Sequence, residues 1–273
     1  MQTKDIRDQF IDLYNKKDYV TDKTGVKTLE IVGASFTADE ASIFGTPNYE
    51  YIKNEIEWYI SQSLYVDDIP EKTPEIWKQI SSTDGRINSN YGYLVFSEEN
   101  HKQYKHVSSQ LLCDPNSRRA VMIYQRPTMH DDFSVDGMSD FICTNAVQYM
   151  VRDNAVHAVV QMRSNDVVFG YRNDYAWQKF VLEHLVKDLN VLGENNYSAG
   201  DITWQVGSLH VYERHFKFIE KEIEARKKEV QTNQETIERT KRKHSDAVQL
   251  CDALLNDLPE EVSGDSSSSA GVD

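Results

Sequence analysis

The sequence predicts an α+β fold in which helices flank a mixed β-sheet. Two apolar, β-branched stretches, 141–151 and 155–162, lie on either side of the turn-like tetrapeptide "RDNA" and predict an antiparallel hairpin. Helical patterns stand before and after these strands, which fits an α+β layer fold better than a doubly wound parallel sheet. The chain has 273 residues, of which 39% are hydrophobic and 27% charged, so we expect one main globular domain.

Three helices and one strand are predicted in the N-terminal part. Ile52, Ile56 and Ile60 share one face of the second helix, and Ser97 before two glutamates resembles the N-terminal cap of the third. The strand alternates in polarity and runs into Gly33. These elements are helices near 6–14, 49–63 and 98–113 and a strand at 28–39.

Strands dominate the part that follows, and one amphipathic helix separates them. Trp177, Val181 and Leu185 are among the apolar residues at helical spacing that define this helix. The predicted elements are strands at 120–127, 141–151, 155–162 and 201–212 and a helix at about 177–189.

A change in composition divides the chain into two parts. Residues 1–219 are predicted to form the main domain, and residues 220–273 a charged helical tail whose acidic, serine-rich end, 259–273, is disordered. Three apolar residues in the tail are seven apart but lack a steady second apolar position, so a solvated helix is favoured over a coiled coil. These residues are Ile223, Val230 and Ile237.

Charge, cysteine content and hydropathy exclude several classes of function. The net charge of −14 repels phosphate backbones, so we expect no direct nucleic-acid partner. No apolar run has the length of a membrane span or of a signal peptide core, so we expect no membrane partner and a cytoplasmic location. Cys113, Cys143 and Cys251 are few and widely separated, which fits a reducing compartment. Short metal-binding signatures are absent, and we expect no metal.

Scattered polar residues, rather than a short signature, carry the possible chemistry. Arg118, Arg119 and Arg163 offer guanidinium forks, and Ser164 offers a hydroxyl. These are the donors that bind a phosphate dianion. On composition alone, ordinary surface ion pairs are the favoured alternative.

Three further groups could take part in catalysis. Cys143 in an apolar strand is by itself more often an inert thiol than a nucleophile, because a working thiolate needs nearby cations. Glu55 or Glu57 is expected to point inward from its helix, and His210 and Tyr212 lie on one face of the last strand. Each of them alone is also compatible with a satisfied core or surface residue.

Taken in order, six motifs resemble the thymidylate synthase family, and most closely its bacteriophage deoxycytidylate (dCMP) hydroxymethylase branch. The resemblance runs over roughly the first four-fifths of the chain. Thr144 and Asn145 follow Cys143, where synthases usually have histidine next, and this agrees with the hydroxymethylase branch. The motifs are "NEIEWY", "INSNYGY", "DPNSRR", "CTNAVQY", "MRSNDVVFG" and "HVYERH".

The resemblance implies a homodimer of the thymidylate synthase fold that associates through its sheet and binds dCMP. The twin arginines would reach the active site of the partner subunit, and His210 and Tyr212 would bind the sugar hydroxyl. Lys23 stands where most synthases have arginine, which keeps the charge but loses the planar fork. The residues implied to hold the 5′-phosphate are Lys23, Arg163 and Ser164 of one subunit and Arg118 and Arg119 of the other.

The resemblance also implies the roles of the catalytic residues. The Cys143 thiolate, favoured by the nearby arginines, would add to C6 of the pyrimidine, and Glu55 would order water and relay protons. Asp174 stands where uracil-specific members carry asparagine, so it would read cytosine. The plain alternative for Asp174 is an acid that caps a helix. The one-carbon co-substrate would be 5,10-methylenetetrahydrofolate, and the residues implied to contact it are Ile76, Trp77 and Asp166.

The leading interpretation is therefore a dCMP 5-hydroxymethyltransferase, in which water completes the reaction. A dCMP 5-methyltransferase would differ by using hydride, and a thymidylate synthase would act on dUMP. A non-catalytic scaffold with this fold would use the charged tail to contact other nucleotide-synthesis enzymes. The presence of Cys143, Glu55 and Asp174 argues against the scaffold.

Overall fold

The computed structural model describes residues 1–21 and 25–256. Lys23 and the predicted disordered end of the chain lie outside the described residues. One compact unit comprises Met1–Glu222, and a second unit begins at Ile223. The predicted division into a catalytic domain and a tail stays a prediction.

The first unit is built from one β-sheet with helices between its strands. The last helix, α8, starts in this unit and continues into the second. The helices are α1 (Thr3–Lys16), α2 (Tyr49–Ser61), α3 (Glu75–Ile80), α4 (Tyr91–Phe96), α5 (Gln103–Cys113), α6 (Met129–Asp132), α7 (Gly170–Gly193) and α8 (Phe216–Asn256). The strands are β1 (Val20–Thr21), β2 (Lys27–Thr37), β3 (Val121–Ile123), β4 (Thr144–Arg152), β5 (Ala155–Asp166) and β6 (Ser198–Tyr212).

The strands of the described residues form one mixed sheet in the order β1-β2-β6-β5-β4-β3. β5 and β6 are parallel, whereas the other neighbouring pairs are antiparallel. A parallel pair needs a long crossover connection, which α7 supplies. The predicted α+β class with a mixed sheet and flanking helices is confirmed, and association through the sheet stays a prediction.

The predicted hairpin joins β4 to β5 through Asp153 and Asn154. Both residues have positive φ, 49° and 60°, as a type I′ turn requires. Asp and Asn tolerate this left-handed conformation better than other residues with a side chain. The hairpin prediction is therefore confirmed, and the turn fixes the register that runs from Arg152 opposite Ala155 to Ala146 opposite Gln161.

Helix α2 buries a different face from the one predicted. Ile52 is buried, but Ile60 is exposed to solvent. The buried face instead carries Glu55, Trp58 and Tyr59, because the aromatic side chains fill more of the space beneath the helix than isoleucine does. A carboxylate is thereby turned into the core.

The predicted helix cap at Ser97 is wrong. Ser97 ends α4, and α5 begins only at Gln103. The reason is local, because His101 and Lys102 have positive φ and interrupt any helix through this segment. The helix that ends before "DPNS" is present, but it is shorter than predicted.

Two other element boundaries change the site. β3 is shorter than its predicted strand, and Cys143, expected within a strand, precedes β4 by one residue. The β4–β5 register shifts between Thr144 and Ala146, which bends the chain beside the thiol. The amphipathic helix α7 is confirmed but starts earlier than predicted, so Asp174 lies inside it.

Helix α8 contains the polar segment of the sequence. Val230 and Ile237 are exposed along it, so the predicted solvated helix is confirmed for the described part. Over residues 1–21 and 25–256, no helix is long and apolar enough to cross a membrane.

Candidate active site

Cys143 lies immediately before β4 and is held by Arg163 from β5. The Arg163 amide donates to the Cys143 carbonyl at 2.9 Å, and its guanidinium Nη2 lies 3.6 Å from the Cys143 Sγ. The same guanidinium donates to the carbonyls of Phe141 and Ile142 at 2.5 and 2.9 Å. One arginine therefore clamps the cysteine segment, and the thiol stays half-buried.

The electrostatic surroundings of Cys143 disfavour a thiolate in the single chain. Burial raises the pKa of Cys143 to about 11, although the Arg163 charge lowers it. The negative charges of Asp174 and Asp140 act in the same direction as burial. Within one chain these effects favour the protonated thiol near neutral pH, and the expected role of the arginines in forming a thiolate stays a prediction.

The candidate phosphate ligands are only partly brought together. Arg163 and Ser164 are consecutive at the end of β5, whereas Arg118 and Arg119 are exposed in the segment between α5 and β3. Within the part of the chain that the structure describes, neither Arg118 nor Arg119 forms an ion pair with a carboxylate. Lys23 lies outside this part.

Glu55 is the inward carboxylate of α2, with 4% of its surface exposed. The Tyr51 hydroxyl donates to Glu55 Oε1 at 2.7 Å, and Trp77 Nε1 donates to that hydroxyl at 2.9 Å. Burial raises the pKa of Glu55 to about 7, although the hydrogen bonds from Tyr51 and Trp77 oppose it. Glu55 can therefore exchange a proton near neutral pH, whereas Glu57 is exposed.

Asp174 lies one turn into α7 and faces the same cluster. Its Oδ2 accepts a hydrogen bond from Asn165 Nδ2 at 2.7 Å. Burial raises the pKa of Asp174 to about 8, and the charge of Glu55 adds to the effect, while Asn165 and Tyr91 lower it. Two acids that share one cluster thus both titrate near neutral pH, the pattern expected of proton-transfer groups.

Asp166, rather than Asp174, is the acid that caps α7. Its Oδ2 accepts from the amides of Phe169 and Gly170 at 2.8 and 3.3 Å, so the helix-cap alternative for Asp174 is wrong. Its Oδ1 lies 3.5 Å from Nδ1 of the buried His215. Although burial opposes it, the nearby His215 and the hydrogen bond from the Phe169 amide hold the pKa of Asp166 below its usual range.

His210 and Tyr212 share one face of β6, as predicted, with ring centroids 4.8 Å apart. The parallel register places His210 beside Asp166, at the end of β5. Burial lowers the pKa of His210, so its imidazole is neutral near pH 7. A neutral imidazole and a phenol can both exchange hydrogen bonds with a hydroxyl group.

Ile76 and Trp77 lie on the short helix α3. Ile76 is 54% exposed, so it offers apolar surface to a ligand. The indole N–H of Trp77 is committed to Tyr51, which joins α3 to the Glu55 cluster. A flat apolar ligand on this surface would therefore lie next to the proton-exchanging acid.

Three residues of the cluster were missed by the sequence reasoning: Tyr91, Asn165 and Asp140. Tyr91 accepts from the Thr144 hydroxyl at 3.1 Å, next to the cysteine. Tyr91 stands within the motif "INSNYGY", and Asn165 stands between the assigned residues Ser164 and Asp166. The positions of both in the sequence could therefore have identified them as site residues. Asp140 precedes the cysteine by three residues, and an acid in an apolar segment was the available clue.

No group of three or more histidine, cysteine or acidic residues placed to hold a metal ion occurs among the described residues.

A cysteine, an arginine and buried acids gather where β4, β5 and α7 of the mixed sheet meet, an arrangement typical of an enzyme active site in a protein of the α+β class. A family profile described as thymidylate synthase matches residues 7–259. The chain belongs to the thymidylate synthase family.

Similar proteins include both phage and bacterial enzymes. The chain is 60% identical over 207 residues to the deoxycytidylate 5-hydroxymethyltransferases of Enterobacteria phages T4 and T2, alignments that cover 75% of this chain and 84% of those proteins. It is 27% identical over 231 residues to the thymidylate synthase of Bacillus subtilis subsp. natto, covering 80% of this chain and 78% of that one. The structure of thermostable thymidylate synthase A from Bacillus subtilis shares the fold, with a TM-score of 0.60, 21% identity and coverage of 82% and 84%.

Proposed function

We propose that this protein is a dCMP 5-hydroxymethyltransferase that converts dCMP, 5,10-methylenetetrahydrofolate and water to 5-hydroxymethyl-dCMP and tetrahydrofolate. The 60% identity to phage enzymes of that name supports the activity. The observation that carries the choice of base is the carboxyl group of Asp174, held by Asn165 in a buried cluster with Glu55. The phage relatives also suggest that the enzyme acts in the host cytoplasm, beside other nucleotide-synthesis enzymes.

The nucleotide would be held by residues at the ends of β5 and β6. Arg163 and Ser164 would bind the 5′-phosphate, and His210 and Tyr212 the sugar hydroxyl. Their positions on adjacent, parallel strands support a single ligand that spans both.

A homodimer would complete the phosphate site. Arg118 and Arg119 are exposed and do not reach Cys143 within their own chain, which supports a role toward a second copy. Positive charge from that copy, together with Lys23, would also offset the burial that raises the pKa of Cys143. A phosphate dianion would then be neutralised by residues of both subunits.

The reaction would begin when the Cys143 thiolate adds to C6 of cytosine. The neutral carboxyl group of Asp174 would donate its proton to N3 and accept a hydrogen bond from the 4-amino group. As the C–S bond forms, that proton would pass to N3, which leaves Asp174 ionised and C5 nucleophilic. C5 would take up the one-carbon unit of methylenetetrahydrofolate, and loss of the C5 proton would then expel tetrahydrofolate and leave an exocyclic methylene group on the base. Attack of water on that carbon, with a proton passing to Glu55, followed by return of the N3 proton to Asp174 and expulsion of Cys143, would give the product.

Glu55 would move protons for the water-dependent steps. Its pKa of about 7 allows it both to accept and to donate a proton near neutral pH. Trp77 and Tyr51 orient the carboxylate through their hydrogen bonds. A fixed carboxylate holds water in one position, which supports attack by water rather than hydride.

The apolar surface of α3 fits a flat heterocycle such as the pterin of the folate. Ile76 is exposed, and the Trp77 indole stands next to the Glu55 cluster. When bound, the folate supplies the one-carbon unit that C5 takes up. Asp166 fits a pterin contact less directly, because its Oδ2 is already occupied by the α7 amides.

The test is turnover of [5-³H]dCMP and [5-³H]dUMP with methylenetetrahydrofolate, with products identified by mass. The parent is expected to release tritium from dCMP and to give a hydroxymethyl product. Asp174→Asn should lower kcat/KM for dCMP by about 10³-fold and shift the preference toward dUMP, because an amide can donate a hydrogen bond to N3 of cytosine but cannot transfer a proton to it.

Asp188→Asn is the matched control, since Asp188 is on the same helix and pairs with Tyr104. It should leave base preference unchanged. A methyl product would support a dCMP methyltransferase, turnover of dUMP alone would support a synthase, and no turnover of either nucleotide would rule out the proposal.

A further inference from the structure

We infer that Asn165, oriented by Trp204, is a positioning residue that decides which oxygen of Asp174 carries the proton and thereby sets the preference for cytosine over uracil. This inference rests on the proposed function, because it concerns how that activity selects its base.

The contact chain runs from β6 through β5 to α7. Trp204 Nε1 donates to Asn165 Oδ1 at 3.2 Å, and Asn165 Nδ2 donates to Asp174 Oδ2 at 2.7 Å. Trp204 is fully buried and Asn165 is 3% exposed, so solvent does not compete for these bonds. Asn165 on β5 and Trp204 on β6 lie on strands that pair in parallel, where their register partners are Leu209 and Val160, and the indole reaches along the sheet to the amide.

The indole ring fixes the orientation of the Asn165 amide. An indole N–H can only donate, so it must face the amide oxygen. The amide NH₂ group is then forced toward Asp174, whose Oδ2 must accept. A proton on the carboxyl group therefore resides on the other oxygen, Oδ1.

This pattern of hydrogen-bond donor and acceptor is complementary to cytosine but not to uracil. With Oδ1 as donor and Oδ2 as acceptor, the carboxyl group complements the bare N3 and the 4-amino group of cytosine. Uracil presents the opposite pattern, an N3 donor and an O4 acceptor. If the Asn165 amide were reversed, its oxygen would require the proton on Oδ2, and Oδ1 would become an acceptor suited to the uracil N3–H.

Gly170 makes room for this arrangement at the start of α7. A Cβ at this position would lie 3.2 Å from Asn165 Nδ2 and 3.8 Å from Asp174 Oδ2. The amide and the carboxyl group therefore pack against backbone that carries no side chain. Packing of this kind leaves the Asn165 side chain little freedom to turn.

The experiment compares Asn165→Leu and Trp204→Phe with the parent. Asn165→Leu keeps the size of the side chain and removes the hydrogen bond, and Trp204→Phe keeps Asn165 but removes the group that orients it. The ratio of kcat/KM for dCMP to that for dUMP should fall about 10-fold or more in the first variant and by a smaller factor in the second. Asn190→Leu is the matched control. Asn190 lies near the C-terminal end of α7, and its side-chain amide pairs with the backbone of Tyr197.

A second measurement needs no activity. In protein labelled with ¹³C at the aspartate side chains, the titration midpoint of Asp174 should rise in Asn165→Leu, because a donor to the ionised form is lost. Trp204→Phe should move the midpoint in the same direction, and Asn190→Leu should not move it. Circular dichroism establishes that each variant is folded.

The outcomes separate this inference from the proposed function. A parent that gives no hydroxymethyl product from dCMP overturns the function, and the base-preference part of the inference with it, while the titration still tests the Asn165 contact. An active parent whose base ratio is unchanged in folded Asn165→Leu and Trp204→Phe overturns the inference alone. A loss of activity toward both bases in equal proportion would also overturn it, because that is the signature of general disruption.

Discussion

Asp140 and Asp174 are both acids close enough to Cys143 to raise its pKa, yet their surroundings differ. Asp140 Oδ2 accepts from the amides of Asn88 and Ser89, each at 2.7 Å, and its Oδ1 accepts from the Ser89 hydroxyl at 2.6 Å. Asp174 accepts from the Asn165 amide on one oxygen. Asp140 therefore accepts three hydrogen bonds, whereas the pKa of Asp174 is lowered by only two donors, Asn165 and Tyr91.

The difference separates an acid that holds the fold from one that awaits a ligand. A buried carboxylate with several donors is stabilised in place, whereas one with few donors costs free energy until a partner arrives. Burial raises the pKa of both acids above the usual value, but only that of Asp174 is brought to about 8. Glu55, with a pKa of about 7 and its own partner Tyr51, resembles Asp174 rather than Asp140.

The largest expected effect is that of a substitution at Glu55, the other buried acid with a pKa near neutral pH. Glu55→Gln should lower kcat by about 10³-fold while leaving the fold intact, because proton transfer contributes this order of rate. The ionisation near pH 7 in the kcat profile of the parent should be absent from the variant. Glu57→Gln, on the exposed face of the same helix, should behave like the parent. An unchanged pH profile in Glu55→Gln would place Glu55 with the structural acids.

The next effect concerns the free energy of unfolding and tests the structural role of Asp140. Asp140→Ala should lower the free energy of unfolding by about 3 kcal/mol, because two buried backbone donors lose their acceptor. Urea denaturation measures the loss. Asp140→Asn is the control, since its amide oxygen can still accept from both amides and its nitrogen can donate to Ser89. If the two variants were equally destabilised, charge rather than hydrogen bonding would explain the role of Asp140.

The smallest effect is a gain in stability at Asp174. A folded-state pKa near 8 lies above the value of about 3.9 for an unfolded chain, so the parent is most stable below that value and loses stability as pH rises through 8. Asp174→Asn removes this loss. It should be more stable than the parent by about 2 kcal/mol at pH 8, after discounting for partial exposure, and nearly equal at pH 4. Urea denaturation at both pH values measures it, and an equal difference at both would contradict the titration.

The fold could be predicted where its determinants are local. The hairpin turn at Asp153 and Asn154 and the apolar spacing of α7 are written in neighbouring residues, and both are confirmed. The start of α5 could not be predicted, because it depends on left-handed backbone at His101 and Lys102 that nothing in their residue types demands. The buried face of α2 depends on the packing of Trp58 against other elements.

The candidate site, like the fold, could be predicted only in part from the sequence. The resemblance to a family identified Cys143, Glu55 and Asp174 as a set, and the fold brings Asp174 near both of the others. The sequence shows the nearby arginines but not the burial that raises the pKa of Cys143. The contact of Asn165 with Trp204 depends on strand pairing between residues far apart in the chain, and spacing alone gives no sign of it.

The parallel pairing of β5 with β6 has a consequence for the chain entropy of the site. Cys143 and Arg163 are brought together by a hairpin with a two-residue turn, whereas His210 reaches Asp166 only after a loop containing the 24 residues of α7 has closed. Loop-closure entropy grows with the logarithm of length, and the second pair is about twice as far apart in the chain as the first, so its closure costs about 0.6 kcal/mol more. Thermal opening therefore separates the β6 wall, with His210, from the rest of the site more readily than it separates the thiol from its arginine.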